Sequence, residues 1–406
     1  MAPDRGVLLV LGPVPHAVQD NLLHGAAQEL PVVLLNDQLP TWERAHIAGH
    51  MRCDVHDDRA LAEAVTTFRS RFPIAGITTW NEECTHAAAA VARRLGLPGP
   101  SPKSVGRSLD RSLSAAALVA AGVPCRASVH TGGVEFARTA AARFGYPVLV
   151  ERVGSVDGPV RADNEEQLLR TWAFLASAPD DTPGTDRRVL VSQCLEGEVV
   201  TVDVAVRSKA GAVAAIALTR HRTVDVGRAR CMELSVSADD PLLEDLAPLA
   251  VRAVWALGLR RTLCSVDLVL TGRGPKILRV TSRVAAGLGP YLVFLATGVS
   301  LGRESAAVAC GSGARTAGGA ASGAAAARIF RPGSEPLVRG GERRVPIGMP
   351  WLRRYLLLGD PAGPQESRRS ATATEQAEGL SFAVVVADSL EQARDRLAVA
   401  AARMVA

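Results

Sequence analysis

The sequence predicts a chain of mixed class, α/β up to about residue 100 and α+β beyond it. Three observations predict this. Short apolar runs alternate with helical patterns in the first part, as in a parallel sheet with helices on its faces. Between residues 189 and 310 strand pattern follows strand pattern around one long amphipathic stretch, as in an antiparallel sheet backed by a helix. The chain has 406 residues, 48% hydrophobic and 21% charged, an ordinary globular balance and enough for two or three domains at about 150 residues each.

Each element has its own signal. Val7-Leu8-Leu9-Val10-Leu11 is a buried strand closed by Gly12-Pro13. Val18 to Leu30 has helical spacing, and Pro31-Val32-Val33-Leu34-Leu35 is a second strand. Leu61 to Phe72 is an amphipathic helix and Ile74 to Thr79 a third strand. Glu83 to Leu95 is an alanine-rich helix ended by Gly96-Leu97-Pro98-Gly99. Helices at Ser112 to Ala121 and Val134 to Phe144 each stop at a Gly-x-Pro turn. Val148-Leu149-Val150 is a strand and Glu165 to Leu175 a helix. Strands follow at Val189 to Val191, Val199 to Val206, Ala212 to Leu218, Ser265 to Leu270 and Ile277 to Val280, with the helix Leu243 to Leu257 among them. Cys310 to Ala327 is low-complexity Gly/Ala/Ser and reads as a flexible connection or a weakly packed helix. The tail from about 328 holds two or three strands and a closing helix, Leu390 to Val405.

Composition excludes several classes. The net charge is +5, from 46 basic and 41 acidic residues. The only lysines are Lys103, Lys209 and Lys276, and the arginines are scattered without a basic stripe, so no nucleic-acid partner is expected. No uncharged run reaches the roughly 18 apolar residues of a membrane span. The N-terminal apolar run reads as a first strand rather than a signal peptide, and a cytoplasmic location is expected. Seven cysteines, at 53, 84, 125, 194, 231, 264 and 310, form no CxxC pair and are expected as free thiols.

Six segments then stand in a telling order. Leu95-Gly96-Leu97-Pro98-Gly99 precedes Asp110-Arg111 and Ala121-Gly122-Val123-Pro124. Gly145-Tyr146-Pro147-Val148-Leu149-Val150-Glu151-Arg152 follows, then Val191-Ser192-Gln193-Cys194-Leu195-Glu196-Gly197. Last come Gly274-Pro275-Lys276-Ile277-Leu278-Arg279-Val280-Thr281-Ser282-Arg283 and Ala296-Thr297-Gly298-Val299-Ser300-Leu301. From about residue 75 to 310 this series resembles the ATP-grasp ligases of the carboxylate–amine type. The resemblance implies an ATP-grasp fold: a Rossmann-like pre-ATP-grasp domain over 1–100, a lid over 101–186, a central domain over 187–310 and a C-terminal α/β subdomain over 328–406. It implies ATP held between two sheets, a small-molecule carboxylate converted to an acyl phosphate, and an amine that attacks it, as in dipeptide-type ligases of secondary metabolism. Ligases of this type are often homodimers. Such chemistry needs cations around the phosphates and Mg²⁺ held by carboxylates.

Several positions that the resemblance assigns to this chemistry carry other residues. The first phosphate lysine is Arg111, still a phosphate cation. The second is Glu151, which reverses the sign; Arg152 beside it points to the other face of the strand. The glycine-rich loop is Gly154-Ser155-Val156-Asp157-Gly158-Pro159, where Pro159 lacks an N–H and Asp157 adds negative charge. Gln193, Cys194 and Leu195 stand at the adenine hinge. The ribose glutamate falls on Val199, with Glu198 one position away. The first metal glutamate matches Asp267 and its histidine Ser265, but the second metal glutamate is Arg279 and the asparagine after it Thr281. A guanidinium offers Mg²⁺ no lone pair. Arg283 keeps the arginine of the motif. No lysine lies between Lys103 and Lys209, the interval that holds both phosphate lysines of the family.

Two arrangements follow. Arg111, Arg279 and Arg283 form a metal-free anion site for phosphate or carboxylate, or Arg279 pairs with Asp267 or Glu151 in a filled cleft. Two functions follow with them: a ligase-like protein with ATP as the implied cofactor and Mg²⁺ unsupported, or a non-catalytic protein that binds a metabolite or partners an active ligase. Other groupings have plain structural readings. His46, His50, Cys53 and His56 suit either a metal or a solvated loop. Asn81-Glu82-Glu83-Cys84 sits at a strand-to-helix junction, lining a cleft or capping the helix through Asn81. Asp110 suits a helix cap. His221, Arg222 and Glu233 fall where the family contacts its substrates, or in a solvated loop. The five tryptophans are too scattered for a binding platform.

Overall fold

The computed structural model describes residues 6–152, 159–177, 189–207, 213–226, 229–312, 321–330, 349–356 and 381–405. Three sheets organise them. The first is wholly parallel, ordered β3-β2-β1-β4, from β1 (Val7–Leu11), β2 (Val32–Asn36), β3 (Gly49–Arg52) and β4 (Ile74–Thr79). Helices cover both its faces, which is why β1 and β2 are almost uninterrupted apolar runs. They are α1 (His16–Glu29), α2 (Asp58–Arg69) and α3 (Thr85–Leu95). Asp57 caps α2 by accepting from the Arg59 and Ala60 amides, and α3 ends at left-handed Gly96.

Two short helices, α4 (Pro102–Leu109) and α5 (Arg111–Ala120), lead to a small antiparallel sheet. It is ordered β5-β8-β6-β7 and comprises β5 (Ser128–Thr131), β6 (Val148–Arg152), β7 (Val160–Ala162) and β8 (Val189–Gln193). One face packs against α6 (Val134–Phe144) and α7 (Glu165–Ser177) through Ala137, Ala141, Val148, Val150 and Leu168. The alternate residues of β6, Leu149 and Glu151, face the other way.

The third sheet has eight antiparallel strands in the order β13-β12-β9-β10-β11-β14-β16-β15. Its strands are β9 (Glu198–Val206), β10 (Val213–Val226), β11 (Ala229–Ser237), β12 (Thr262–Thr271), β13 (Gly274–Thr281), β14 (Ala324–Phe330), β15 (Leu352–Leu356) and β16 (Ser381–Ala387). Val200, Val202, Val204 and Leu218 pack under α8 (Leu242–Ala256) on one face. The opposite face receives α9 (Gly289–Thr297), α10 (Leu301–Ala309) and the first domain in one continuous core. The closing helix, α11 (Leu390–Val405), covers Ala326, Phe330 and Ala383. Among the described residues no single helix is long and apolar enough to cross a membrane; α9 and α10 are apolar as a pair, but they bend by 104° and pack into the core.

The structure corrects the reading of Cys310 to Ala327. Helix α10 ends at Ala309, and Ala324–Phe330 is a strand buried at every position. Alanine is a weak strand former, and packing overrides it here: Ala325 and Ala327 face α9, Ala326 faces α11, and their small size admits a helix on each side. Residues 313–320 lie outside the described residues. The first domain meets the large sheet closely. A Cβ on Gly302 of α10 would stand 2.0 Å from the Leu22 carbonyl oxygen of α1, and one on Gly76 of β4 would stand 2.5 Å from the Ala309 carbonyl oxygen.

Candidate functional site

A cleft forms where the small sheet, the β4–α3 turn and the large sheet converge. On the small-sheet side, Asp110 accepts from the Ser112 and Leu113 amides and so starts α5 at Arg111. Burial opposes ionisation of Asp110, but those hydrogen bonds outweigh it and hold its pKa below the usual carboxylate range. Arg111 donates from Nη1 to Oε1 of Glu151 at 2.7 Å. Glu151 is 5% exposed, so the two positions expected to hold phosphates already hold each other.

Arg126 stands beside this pair and was not anticipated from the sequence. The chain from Pro124 to Arg126 runs along β13, with the Ile277 amide donating to Pro124 O and the Arg126 amide donating to Ile277 O. That places Arg126 at the seam between the two sheets. Its Nε is buried with no hydrogen-bond partner among the described residues. Burial depresses its pKa, nearby Arg111 adds to this, and Glu151 opposes both. The only signal in sequence was its position just after Gly-Val-Pro, where the chain enters the small sheet.

On the large-sheet side, strand pairing sets Asp267 opposite Thr201 and Arg279. The Thr201 hydroxyl donates to Oδ1 of Asp267 at 2.7 Å and lies 2.8 Å from Nε2 of His221. Because the hydroxyl proton goes to Asp267, His221 carries its proton on Nε2 and donates it. Burial lowers the His221 pKa, with Asp267 acting against it. In the next row the Ser265 hydroxyl donates to Asp203 at 2.5 Å. Burial pushes Asp203 up to about 7, and Asp267 adds to the rise.

Arg279 reaches neither Asp267 nor Glu151. Its Nη2 donates to Oε1 of Glu82, and Arg283 Nη2 donates to Glu82 Oε2 at 2.7 Å. Burial disfavours the Glu82 carboxylate, but the two guanidinium groups prevail and lower its pKa. Asn81 holds this turn by donating to Pro13 O at 2.7 Å and does not cap the helix; α3 begins after Cys84 with no side-chain cap. Each of Arg111, Arg279 and Arg283 therefore faces a carboxylate of the chain itself.

The hinge positions run from the last residue of β8 onward. The Gln193 amide donates to Ala127 O at 2.9 Å, and Cys194 and Leu195 continue toward β9. Alternation puts Glu198 on the α8 face, where it pairs with Arg220 at 3.0 Å while Arg220 also grips Asp240. Val199 faces the cleft in its place. The loop 153–158, which holds most of the expected glycine-rich loop, lies outside the described residues. Glu233 is buried under α11 with Arg328 at 2.9 Å, away from the cleft, and Arg222 is exposed. His46 and His50 share no helix: His46 follows a short 3-10 turn, Trp42–Ala45, and His50 lies on β3 with Nε2 2.8 Å from Asn36 Oδ1.

The donor set does not suit Mg²⁺. Asp267 is one hard ligand, but the facing position is a guanidinium. Among the described residues no group of three or more His, Cys, Asp or Glu side chains is placed to hold a metal ion.

Comparison with known proteins agrees on the architecture. Residues 26–99 match the ATP-grasp N-terminal domain family. The chain is similar to the L-amino acid ligase of Bacillus licheniformis, at 15% identity over 97% of this chain and 96% of that one, with a TM-score of 0.68. It is similar to the phosphoribosylglycinamide synthetase of Anaerococcus prevotii, at 15% identity over 98% of both chains and TM-score 0.67. The biotin carboxylase domain of the 2-oxoglutarate carboxylase of Hydrogenobacter thermophilus, solved as a dimer with MgADP, ADP and bicarbonate, matches at 16% identity over 98% of this chain and 90% of that one, TM-score 0.69. The uncharacterized protein y4rH of Sinorhizobium fredii is 27% identical over 278 residues, 66% of this chain and 55% of that protein, so the matched part spans about half of that relative. A sequence match over the N-terminal domain and a structural match over the whole length together show that this chain has the ATP-grasp fold.

Proposed function

We propose that this protein derives from the carboxylate–amine ligases but no longer runs Mg²⁺-dependent ligation, and that it serves as a metabolite-binding protein or as the partner of an active ligase. The Glu82 clamp carries the reading. In a ligase of this fold, cations face the triphosphate and carboxylates face the metal. Here Arg279 takes a metal-carboxylate position and shares the Glu82 carboxylate with Arg283, while Glu151 takes a phosphate-cation position and pairs with Arg111. A phosphate entering beside Glu82 or Glu151 has to displace a carboxylate already paired with those guanidinium groups.

Arg126 favours a second reading, in which nucleotide binds without metal. Among the described residues its buried Nε has no hydrogen-bond acceptor, and it lies near enough to Arg111 to depress its own charged form. An incoming phosphate would relieve both. Calorimetric titration with ATP, with and without Mg²⁺, separates the readings. No binding in either condition supports the non-catalytic protein. Equal binding without Mg²⁺ supports the arginine site. Tight binding that requires Mg²⁺ sinks both and makes ADP release with carboxylate and amine pairs the next assay. The same samples report whether the chain is a homodimer.

A further inference from the structure

Helix α5 turns large aliphatic side chains to solvent. It buries Ser114 and Leu118 but leaves Leu113 53% and Val119 67% exposed. Ala116 and Ala120 are exposed with them, and at 3.6 residues per turn the four fall on one side of the helix. No charged residue lies between Arg111 and Arg126. Single exposed aliphatics are ordinary, but a contiguous uncharged helix face marks a contact surface. The face continues onto α8. Arg252 Nη2 donates to Gly122 O at 2.8 Å and joins the two helices. One turn on, Trp255 is 45% exposed, with the Arg260 guanidinium 5.9 Å from its ring centroid.

The charge around this face has one sign. Arg107 of α4 donates to Leu257 O at the end of α8, and Arg261 is exposed next to Arg260. Among the described residues none of Arg107, Arg252, Arg260 and Arg261 pairs with a carboxylate, whereas Arg111, Arg279 and Arg283 do. No acidic residue occurs from Leu246 to Val266 or from Arg111 to Val134; Glu244 and Asp245 lie two turns before Arg252 on α8. A second copy set across a two-fold axis would bring arginine against arginine. Nucleic acid would lay phosphates over Leu113 and Val119 with nothing there to bond them. A lipid surface needs no groove, whereas Ala116 and Ala120, small and four residues apart between larger neighbours, leave a shallow groove that a helix ridge fills.

We propose that α5 and the C-terminal half of α8 dock an amphipathic helix of a partner protein, its apolar side toward α5 and its glutamates or aspartates toward the arginines. The face is independent of the proposed function, and no nucleotide enters its test. The full chain is titrated into a fluorescent synthetic helix of about 20 residues, leucine on one face and glutamate on the other, and into a version with lysine for glutamate, both followed by anisotropy. Saturable binding of the glutamate peptide is expected, weakening as salt rises, with none of the lysine peptide. Trp255→Ala is expected to weaken it by about tenfold or more, and Val119→Glu to abolish it. Both side chains are exposed, so both variants are expected to keep the wild-type melt, and if one fails to fold the other still decides. No saturation, equal binding of the lysine peptide, or affinity unchanged in both variants overturns the docking face. Tighter binding to phosphatidylserine vesicles or to polyuridine gives the face to another class of partner and overturns the assignment as well.

Discussion

Glu82 and Asp203 show how far single carboxylates in this cleft depart from ordinary behaviour, and in opposite directions. Glu82 is held ionised by Arg279 and Arg283 against its burial. Asp203 has one hydroxyl donor, and burial with Asp267 nearby raises it to about 7. A carboxyl raised above its unfolded value of about 4 keeps its proton longer in the folded state, so its contribution is full below that value and is lost as pH climbs through the folded one. Wild type is therefore expected to lose roughly 2–4 kcal/mol relative to Asp203→Asn between about pH 4 and pH 7, read by urea unfolding across that range. His221 is lowered and acts with the opposite sign, its contribution growing as pH rises toward its unfolded value, but it is common to both proteins and cancels in the difference. A flat difference would remove Asp203 as a buried neutral acid. The positions of Arg279, Arg283 and Asp267 were legible in the sequence because a motif fixes them along two strands. Their partners were not: Glu82 lies 197 residues from Arg279, on a turn whose local pattern fits a helix start equally well.

Among the elements, α1 and α10 make the closest crossing, and it depends on Gly302. Because a Cβ there would strike backbone rather than a flexible side chain, Gly302→Ala is expected to cost about 1–3 kcal/mol, measured as a lower urea midpoint with an unchanged slope. An unchanged midpoint would mean that the two helices separate freely. Elements with a clear period were legible. The spacing of Leu390 to Val405 gave α11 its full span, and β1 and β2 declared themselves as apolar runs. Five strands were not legible: the short β3, β5 and β7, and the longer β11 and β14. In β14, four consecutive alanines carry no alternation to read. In β11, Glu233 argues for solvent until Arg328 on the paired strand neutralises it inside the sheet.

For the whole molecule, the large sheet takes strands from distant parts of the chain, since β14, β16 and β15 continue the ladder begun by β13 to β11. A chain ended after Phe330 would expose the α11 side of β14, including Phe330, which is 1% exposed in the intact protein. Such a chain is expected to be insoluble or to lose its cooperative melt. A soluble fragment with a normal melt would show instead that the tail is an independent unit. The overall fold was legible because the order of several loose motifs constrains topology even where single residues within a motif differ from the family's pattern.

The backbone contact of Gly302 and Gly76 with their neighbours has a kinetic consequence. Glu82 is carried on the same rigid body as β4, so its release from Arg279 and Arg283 does not wait on a collective domain rotation of microseconds to milliseconds. A change of side-chain rotamer, far faster, is enough. A ligand that competes for those guanidinium groups is therefore expected to bind in a single fast phase, without a slow step from domain opening.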